Sequence, residues 1–548
     1  MLRFFCYLYI FCGFLKLNGQ HNTLYLSNSY DSNFEKLIYN SSSNINLSFQ
    51  PIFKSDLNFD LDSILTSKNK KTNLNWFNRK LYNEHFIISK GEDFNFIISP
   101  IINLTKGKDI DSKKNTFTNS RGFIVYGILG NHISFSSSFL ENQSVFVGYL
   151  HDFITKKRVV PGQGYVREFK VSGFDYAMSS GYVIYRPNNI FTLQFGHGKH
   201  FIGNGYRSLL LSDNSFNYPF LRIQTTFGKI QYTNLYAELQ DINYFLNNNI
   251  DNVDQLGFPK KYISSHYLSL QANNKLSISL FESVIWRMNH APGNTGFDIN
   301  YLNPIILLRP VEFSLNSPDN ILLGLNVRYD LFPSSYIYSQ IILDEFSLTE
   351  LRKDKGFWAN KYGYQLGYKK FSLFGVDNLL LQTEYNSVRP YTYSHHNPLQ
   401  NYAHYNQPLA HPLGANFSEK ILMLKYRYER WELVAKLIQA KYGADFPGDQ
   451  TSYGSNLYLS TGSFATESNL QAIGSGRPSD FGVFMYQGNL TNVDFKSIDI
   501  AYVLNFRTNL KLNFGCILRE FSDQIDKETT RFIHFGLKSD LFNHYYDF

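Results

Sequence analysis

The run from Phe195 to Ser208 (FGHGKHFIGNGYRS) combines repeated glycines with His197, Lys199, His200 and Arg207, the composition of a phosphate cradle. A phosphate loop needs Gly-Lys followed by Ser or Thr at the opening of a helix. Here the glycines lead instead into Leu209-Leu210-Leu211-Ser212-Asp213, so the run reads as a glycine-shaped loop or an inward constriction. Four histidines, His395, His396, His404 and His411, crowd one stretch and are weak candidates for a metal site. Their spacing matches no zinc signature, no H-E-x-x-H accompanies them, and tyrosines 391, 393, 402 and 405 interleave with them, so no metal is expected. Asp344-Glu345 has the residue types of a glycosidase pair, but chain neighbours point apart, and such carboxylates are set by spatial separation. No G-x-S-x-G elbow occurs and no Ser, His and acid set stands out, so the expectation is a non-enzymatic chain without a cofactor. What remains is recognition: flat aromatics beside amides and carboxylates stack on pyranose faces and bond to hydroxyls. Trp358, Tyr362, Tyr391, Tyr393, Tyr453 and Tyr458 are the candidate glycan contacts, although an aromatic belt at a bilayer edge would look similar.

The elements that would position these residues are strands. The chain has 548 residues, 17% aromatic and 18% charged, a balance that favours sheets over helical bundles and argues against disorder. A net charge of +7, dispersed along the chain, makes no nucleic-acid footprint. Met1 to Arg3 is a short basic start and Phe4 to Leu15 an apolar run, with cleavage expected between Gly19 and Gln20, so residues 1–19 read as a signal peptide. Cleavage would remove Cys6 and Cys12 and leave only Cys516, which excludes an intramolecular disulfide in the mature chain. No later window is long and apolar enough for a membrane helix, so an exported membrane protein of this sequence must span by strands.

Alternation supports that route. Ile498, Ile500, Tyr502, Leu504 and Phe506 alternate with Ser497, Asp499, Ala501, Val503 and Asn505; Leu512, Phe514, Cys516 and Leu518 alternate with Lys511, Asn513, Gly515, Ile517 and Arg519. Leu422 to Tyr428 and Trp431 to Leu437 repeat the pattern, with Lys425, Arg427, Glu432 and Lys436 on the opposite face. A soluble sandwich would alternate too, so loop length decides. Tight turns near 130–131, 187–189, 227–228, 273–274, 332–334, 374–375, 429–430 and 507–509 alternate with long connections, as in outer-membrane barrels. The reading is an all-β chain: a large antiparallel transmembrane β-barrel of about 18 strands (roughly 16–20). Residues 91–548 form the barrel, and residues 20–90 are a periplasmic or plug segment whose short helix places Leu74, Phe77 and Leu81 on one face. Phe542, His544, Tyr546 and Phe548 share a face at period two, so Phe532 to Phe548 is expected as the closing and assembly-signal strand.

Three stretches carry a family resemblance: Gly196 to Ile223, Lys260 to Trp286 and Tyr301 to Gly324. With Leu343-Asp344-Glu345-Phe346, Asn360 to Gly363, Glu384 to Asn386, Arg389 to His395 and His411 to Phe417, they resemble the Wzi-like capsule-assembly proteins of bacterial outer membranes. The closest likeness is to the gliding-motility RemB branch of the Bacteroidetes. The resemblance spans roughly 90–548 and implies a cell outer-membrane barrel for surface polysaccharide assembly or attachment, or for gliding motility. Implied partners are outer-membrane lipid, the barrel-assembly machinery, surface polysaccharide and gliding or secretion machinery, with no nucleic acid. A passive diffusion porin and a surface-glycan-modifying barrel enzyme are the alternatives; an open lumen would mark the porin.

Overall fold

The computed structural model describes residues 22–31, 34–40, 47–57, 59–61, 63–65, 71–242, 258–287, 298–306, 319–449, 451–463 and 475–548. The expected signal peptide, with Gly19 and Gln20, lies outside the described residues.

Eighteen antiparallel strands close into one barrel. They are β1 (Phe94–Asp109), β2 (Asn115–Leu129), β3 (Ile133–Val145), β4 (Gly173–Tyr185), β5 (Phe191–Gly198) and β6 (Tyr218–Phe227). Next come β7 (Ile230–Gln240), β8 (Lys260–Gln271), β9 (Leu276–Arg287), β10 (Asn320–Phe332), β11 (Ser335–Leu343) and β12 (Tyr362–Lys370). The ring ends with β13 (Leu379–Val388), β14 (Phe417–Tyr428), β15 (Trp431–Ala444), β16 (Asn489–Asn505), β17 (Leu510–Ser522) and β18 (Lys527–Ser539). Every tight turn expected from sequence falls at one end of this ring and the long connections at the other. Because outer-membrane barrels carry short turns on the periplasmic side, the turn end is periplasmic and the loop end extracellular.

Alternation sets the wall. Ile498, Ile500, Leu512, Phe514, Leu433 and Leu437 point outward and are exposed, whereas Val503, Ala501, Lys511 and Asn513 point into the lumen and are buried. Cys516 pairs across the sheet with Ile498 and Ile533 on the outward face and is exposed.

The lumen is filled by the chain's own ends. From the N-terminal side, Phe49–Gln50 pairs with Phe201–Ile202. The Arg222 guanidinium of β6 lies 4.4 Å from the rings of both Phe49 and Phe53 and donates to Pro51 O at 2.9 Å. Leu24, Tyr30, Phe34, Leu61 and Leu65 share a core with Ile101, Ile124 and Leu140 of the inner wall. The short helix is Trp76–Tyr82, held at the rim where Asn505 donates to Lys80 O and Glu84 O; Phe77 is exposed.

One expectation is corrected. The last strand does close the ring, with Phe532 opposite Asp109 and Lys538 opposite Asn103, but it stops at Ser539. Phe542, His544, Tyr546 and Phe548 are not on a strand. Past Ser539 β17 offers no partner, since it begins at Leu510, and in this register residues 543–546 would need the stretch of β1 from Asn95 to Ile98 that Ile87–Lys90 already holds. Residues 540–548 turn into the lumen, where Leu541, Tyr545 and Asp547 are buried.

An arginine at Cys516 would place a charge on the outward wall and should cost about 2–4 kcal/mol if it sits at the bilayer midplane, whereas Cys516→Ala should be tolerated. Urea unfolding in lipid vesicles measures both, and equal stability of the two variants would place Cys516 away from the hydrocarbon.

Candidate functional site

The extracellular cap gathers most of the residues singled out from sequence, but it does so by packing them. Tyr391 and Tyr393, both with positive φ (67° and 72°), are fully buried. Tyr391 donates its hydroxyl to Ser452 O at 2.7 Å, and Tyr393 donates to Leu209 O at 2.7 Å. Tyr402, stacked on Tyr393 with centroids 5.7 Å apart, donates to Leu210 O at 2.7 Å. Tyr393 and Tyr402 are pillars between the cap and the residues that follow the glycines, and Tyr391 is held within the cap; none of the three is an open stacking platform. Tyr458 is buried beneath the Lys157 ammonium, 5.3 Å from its ring. Trp358, Tyr362 and Tyr453 stay partly exposed. One face of Trp358 is covered by the Arg477 guanidinium at 3.8 Å, itself paired with Asp480. Tyr453 meets the Phe446 ring edge-on at 5.7 Å, and its backbone N–H donates to Asp445 at 2.8 Å.

The four histidines are dispersed over different environments. His404 is buried, with Nδ1 accepting from the Gln240 N–H and Nε2 3.2 Å from Asn217 O; burial pushes its pKa down to about 3, so it is neutral. Burial and then the Lys361 ammonium lower His395 to about 4, and its Nδ1 accepts from Asn397 N. His396 is exposed, and His411 sits inside the lumen. Among the described residues no group of three or more His, Cys, Asp or Glu side chains is placed to hold a metal ion. Asp344 and Glu345 both face Lys361, at 3.8 and 2.8 Å. Burial raises the Asp344 carboxyl to about 7 against the pull of Lys361, and it accepts from Tyr393 N at 2.8 Å.

A buried network that sequence reasoning did not assemble forms where the glycine-rich segment crosses the lumen. Gly203 and Gly205 press against the inner wall: a Cβ on Gly203 would meet Gln340 at 2.5 Å, and one on Gly205 would meet Glu384 at 2.4 Å. That approach lets Glu384 of β13 accept from the backbone N–H groups of Tyr206 and Arg207, at 2.8 and 3.1 Å. Arg207, 1% exposed, then spans two carboxylates, Glu419 of β14 at 3.1 Å and Asp547 of the tail at 3.0 Å. Lys436 of β15 pairs with Asp547 at 2.5 Å, and His411 Nε2 lies 2.7 Å from Glu419. Burial alone would raise the Asp547 carboxyl, but Arg207 and then Lys436 outweigh it and hold it well below the usual carboxylate range. The tail is tied further by Tyr545 and Asn543 to Asp213, by Tyr149 to Tyr546 O, and by Arg519 to the Phe548 carbonyl oxygen. Beside it lies a cavity of about 980 Å³, lined by Lys425, Arg427, Glu432, Lys511, Asp540 and His544 among others. Alternation had placed Lys436 on the polar face; nothing in sequence said that its partner would come from the last two residues.

With the closed ring, the plugged lumen and the packed cap described, comparison with solved structures becomes informative. Wzi of Escherichia coli, described as a carbohydrate-binding β-barrel involved in group 1 capsule assembly, aligns over 95% of this chain and 100% of its own at 13% identity, with a TM-score of 0.51. The fold is that of a Wzi-like outer-membrane β-barrel. OprD of Pseudomonas aeruginosa (11% identity, 83% of this chain, 98% of its own, TM-score 0.41) and OccAB2 of Acinetobacter baumannii (8%, 81%, 97%, 0.42) are more distant in shape. Neither the known protein families nor the curated protein sequences contain a match to this chain.

Removing the Asp547 carboxylate should leave Arg207 and Lys436 short of a buried partner. Asp547→Ala should therefore cost about 3–5 kcal/mol, read as a lower urea midpoint and protease access to the C-terminus. Because the folded pKa lies below the unfolded one, this stability is fully present above about pH 4 and is lost as pH falls further. A midpoint that does not change from pH 7 to pH 2, or an alanine variant as stable as wild type, contradicts this account.

Proposed function

We propose that this chain is an outer-membrane protein for assembly or attachment of surface polysaccharide, exported by its N-terminal signal peptide and acting at its cap by binding rather than by turnover. The observation that carries the reading is the lumen, occupied by the chain's two ends beneath a cap of packed loops. A diffusion porin needs an open polar channel, and here the N-terminal segment, the glycine-rich crossing and residues 540–548 occupy that space. The Wzi-like fold supports the carbohydrate side of the reading, since Wzi itself is described as carbohydrate-binding. The resemblance to the RemB branch of the Bacteroidetes adds gliding motility as a second outlet for the same surface role. Partners on this reading are outer-membrane lipid, the barrel-assembly machinery, surface glycan and, for the gliding role, the motility machinery.

Of the candidate glycan contacts, Trp358, Tyr362 and Tyr453 are only partly buried, and the reading rests on these. Losing one stacked ring costs about 1 kcal/mol. Tyr453→Ala should thus weaken binding of surface polysaccharide about fivefold in affinity electrophoresis with no change in heat-modifiable migration. A clean deletion scored for retained capsule and for spreading on agar separates the two outlets. Normal capsule and normal spreading together would overturn the proposal.

The wild-type barrel should give no steady single-channel conductance in planar bilayers. Deleting residues 540–548 should leave the ring closed, because β18 is intact, and should raise conductance by opening the lumen beside the cavity. Stable conductance from the wild type would favour the porin.

A further inference from the structure

A row of polar side chains lies buried on the outer wall. On β7, β8 and β9 the outward positions in register are Asn234, His266 and Glu282, directly opposite one another across adjacent strands. All are buried, at 3%, 0% and 1% exposure. The same face reverts to Leu268, Leu270, Leu280 and Ile278 toward the periplasmic end. Residues 298–306 lie along the outside of the barrel against this face. Asn234 donates to Pro304 O at 3.1 Å, Tyr236 donates to Leu302 O at 3.2 Å, and the Tyr301 ring packs 4.6 Å from Trp286. Ile299, Leu302 and Ile305 of this covering segment are exposed on its far side, where lipid chains would lie.

Ionisable groups on a lipid-facing wall are costly and mark function by default. Here they have the order of a nucleophile, a base and an orienting group. Ser264 and His266, two apart on β8, share the outward face, with Ser264 Oγ 3.4 Å from His266 Nε2. The Tyr232 hydroxyl of β7 lies 2.6 Å from His266 Nδ1. We propose that Ser264 and His266 form a second site, on the outer wall, that cleaves ester-linked acyl chains of membrane lipids when the covering segment lifts. Ser264 Oγ bonds to the acyl carbonyl carbon as its proton passes to His266 Nε2. Collapse breaks the ester C–O bond, and the leaving alcohol takes that proton. Water then attacks the acyl-serine by the same relay, releasing the fatty acid and restoring Ser264. Tyr232, accepting from Nδ1–H, is the positioning residue that holds the ring with Nε2 toward Ser264. The inference is independent of the glycan reading, because the site faces the bilayer and not the cap.

The test uses the full-length protein in lipid vesicles and an alkyl fluorophosphonate, with the modified residue located by mass spectrometry. An adduct on Ser264, lost in Ser264→Ala and His266→Ala while heat-modifiable migration persists, is the expected result. Tyr301→Ala should loosen the covering segment and speed labelling several-fold. Tyr232→Phe should slow labelling and shift its pH profile, which a purely structural tyrosine would not do. Fatty-acid release from glycerophospholipid vesicles, set against vesicles containing acylated glycolipid, identifies the source of the acyl chain. No adduct on Ser264 in either wild type or Tyr301→Ala, with no fatty acid from either vesicle, overturns the proposal and leaves the row as an anchor for residues 298–306.

Discussion

The constraint on which this structure depends is that hydrocarbon offers no hydrogen-bond partner, so every backbone N–H and C=O at membrane depth must be paired within the protein. A ring of strands satisfies it only when closed, and the pairing of β18 with β1 is where closure occurs. Alternation then follows from the pleat: outward positions become apolar and inward positions collect the charges, Lys436, Lys511, Glu419 and Arg519 among them. Once inside, those charges need partners. The chain supplies them with segments that would otherwise be termini, Glu35 against Lys369 and Asp547 against Arg207 and Lys436.

This explains why the lumen and the cap are built differently from the wall. Wall strands gain their stability from ladders to neighbours, whereas the glycine-rich crossing touches many strands at once and relies on side-chain acceptors. Glu384 caps two of its backbone N–H groups, Gln340 accepts from Leu209 N at 2.8 Å, and Gln365 donates to Arg207 O at 3.0 Å. Tyr393 and Tyr402 bond to its next two carbonyls from above. A segment with side chains at 203 and 205 could not lie so near the wall, and the acceptors would then be left buried and unmet.

The wall was legible in the sequence and the interior was not, for a physical reason. Period-two alternation and turn residues are local signals, so the tight turns, the outward placement of Cys516 and the inward placement of Lys436 could all be read. The fate of Phe542 to Phe548 depended on a non-local fact, namely that Ile87–Lys90 holds the edge of β1 that a longer final strand would need. Period two in an aromatic tail is compatible with a strand or with an extended plug, and only the occupied edge distinguishes them. The buried tyrosines of the cap were misleading for the same reason. Tyr391 and Tyr393 have the composition of a sugar platform, but the carbonyls of Ser452 and Leu209, distant in sequence, take their hydroxyls.

The two ends of the chain also meet in the lumen. Ser27 donates to Asp540 O at 2.8 Å, and the Asn28 N–H donates to the Asn543 side chain at 2.8 Å. Contacts of such sequence separation carry a large loop-closure entropy while the strands between them are free, and almost none once the ring has formed. Residues 540–548 leave β18 at the periplasmic end and run inward past Asp213 to Arg519, so their partners lie on strands or crossings that exist as a surface only after closure. The plug is therefore not a lid added to a finished channel but the last consequence of closing the ring. The charges that alternation sends inward are met by the segment that closure delivers, and the ion pair between Arg207 and Asp547 joins the glycine-rich crossing to that segment.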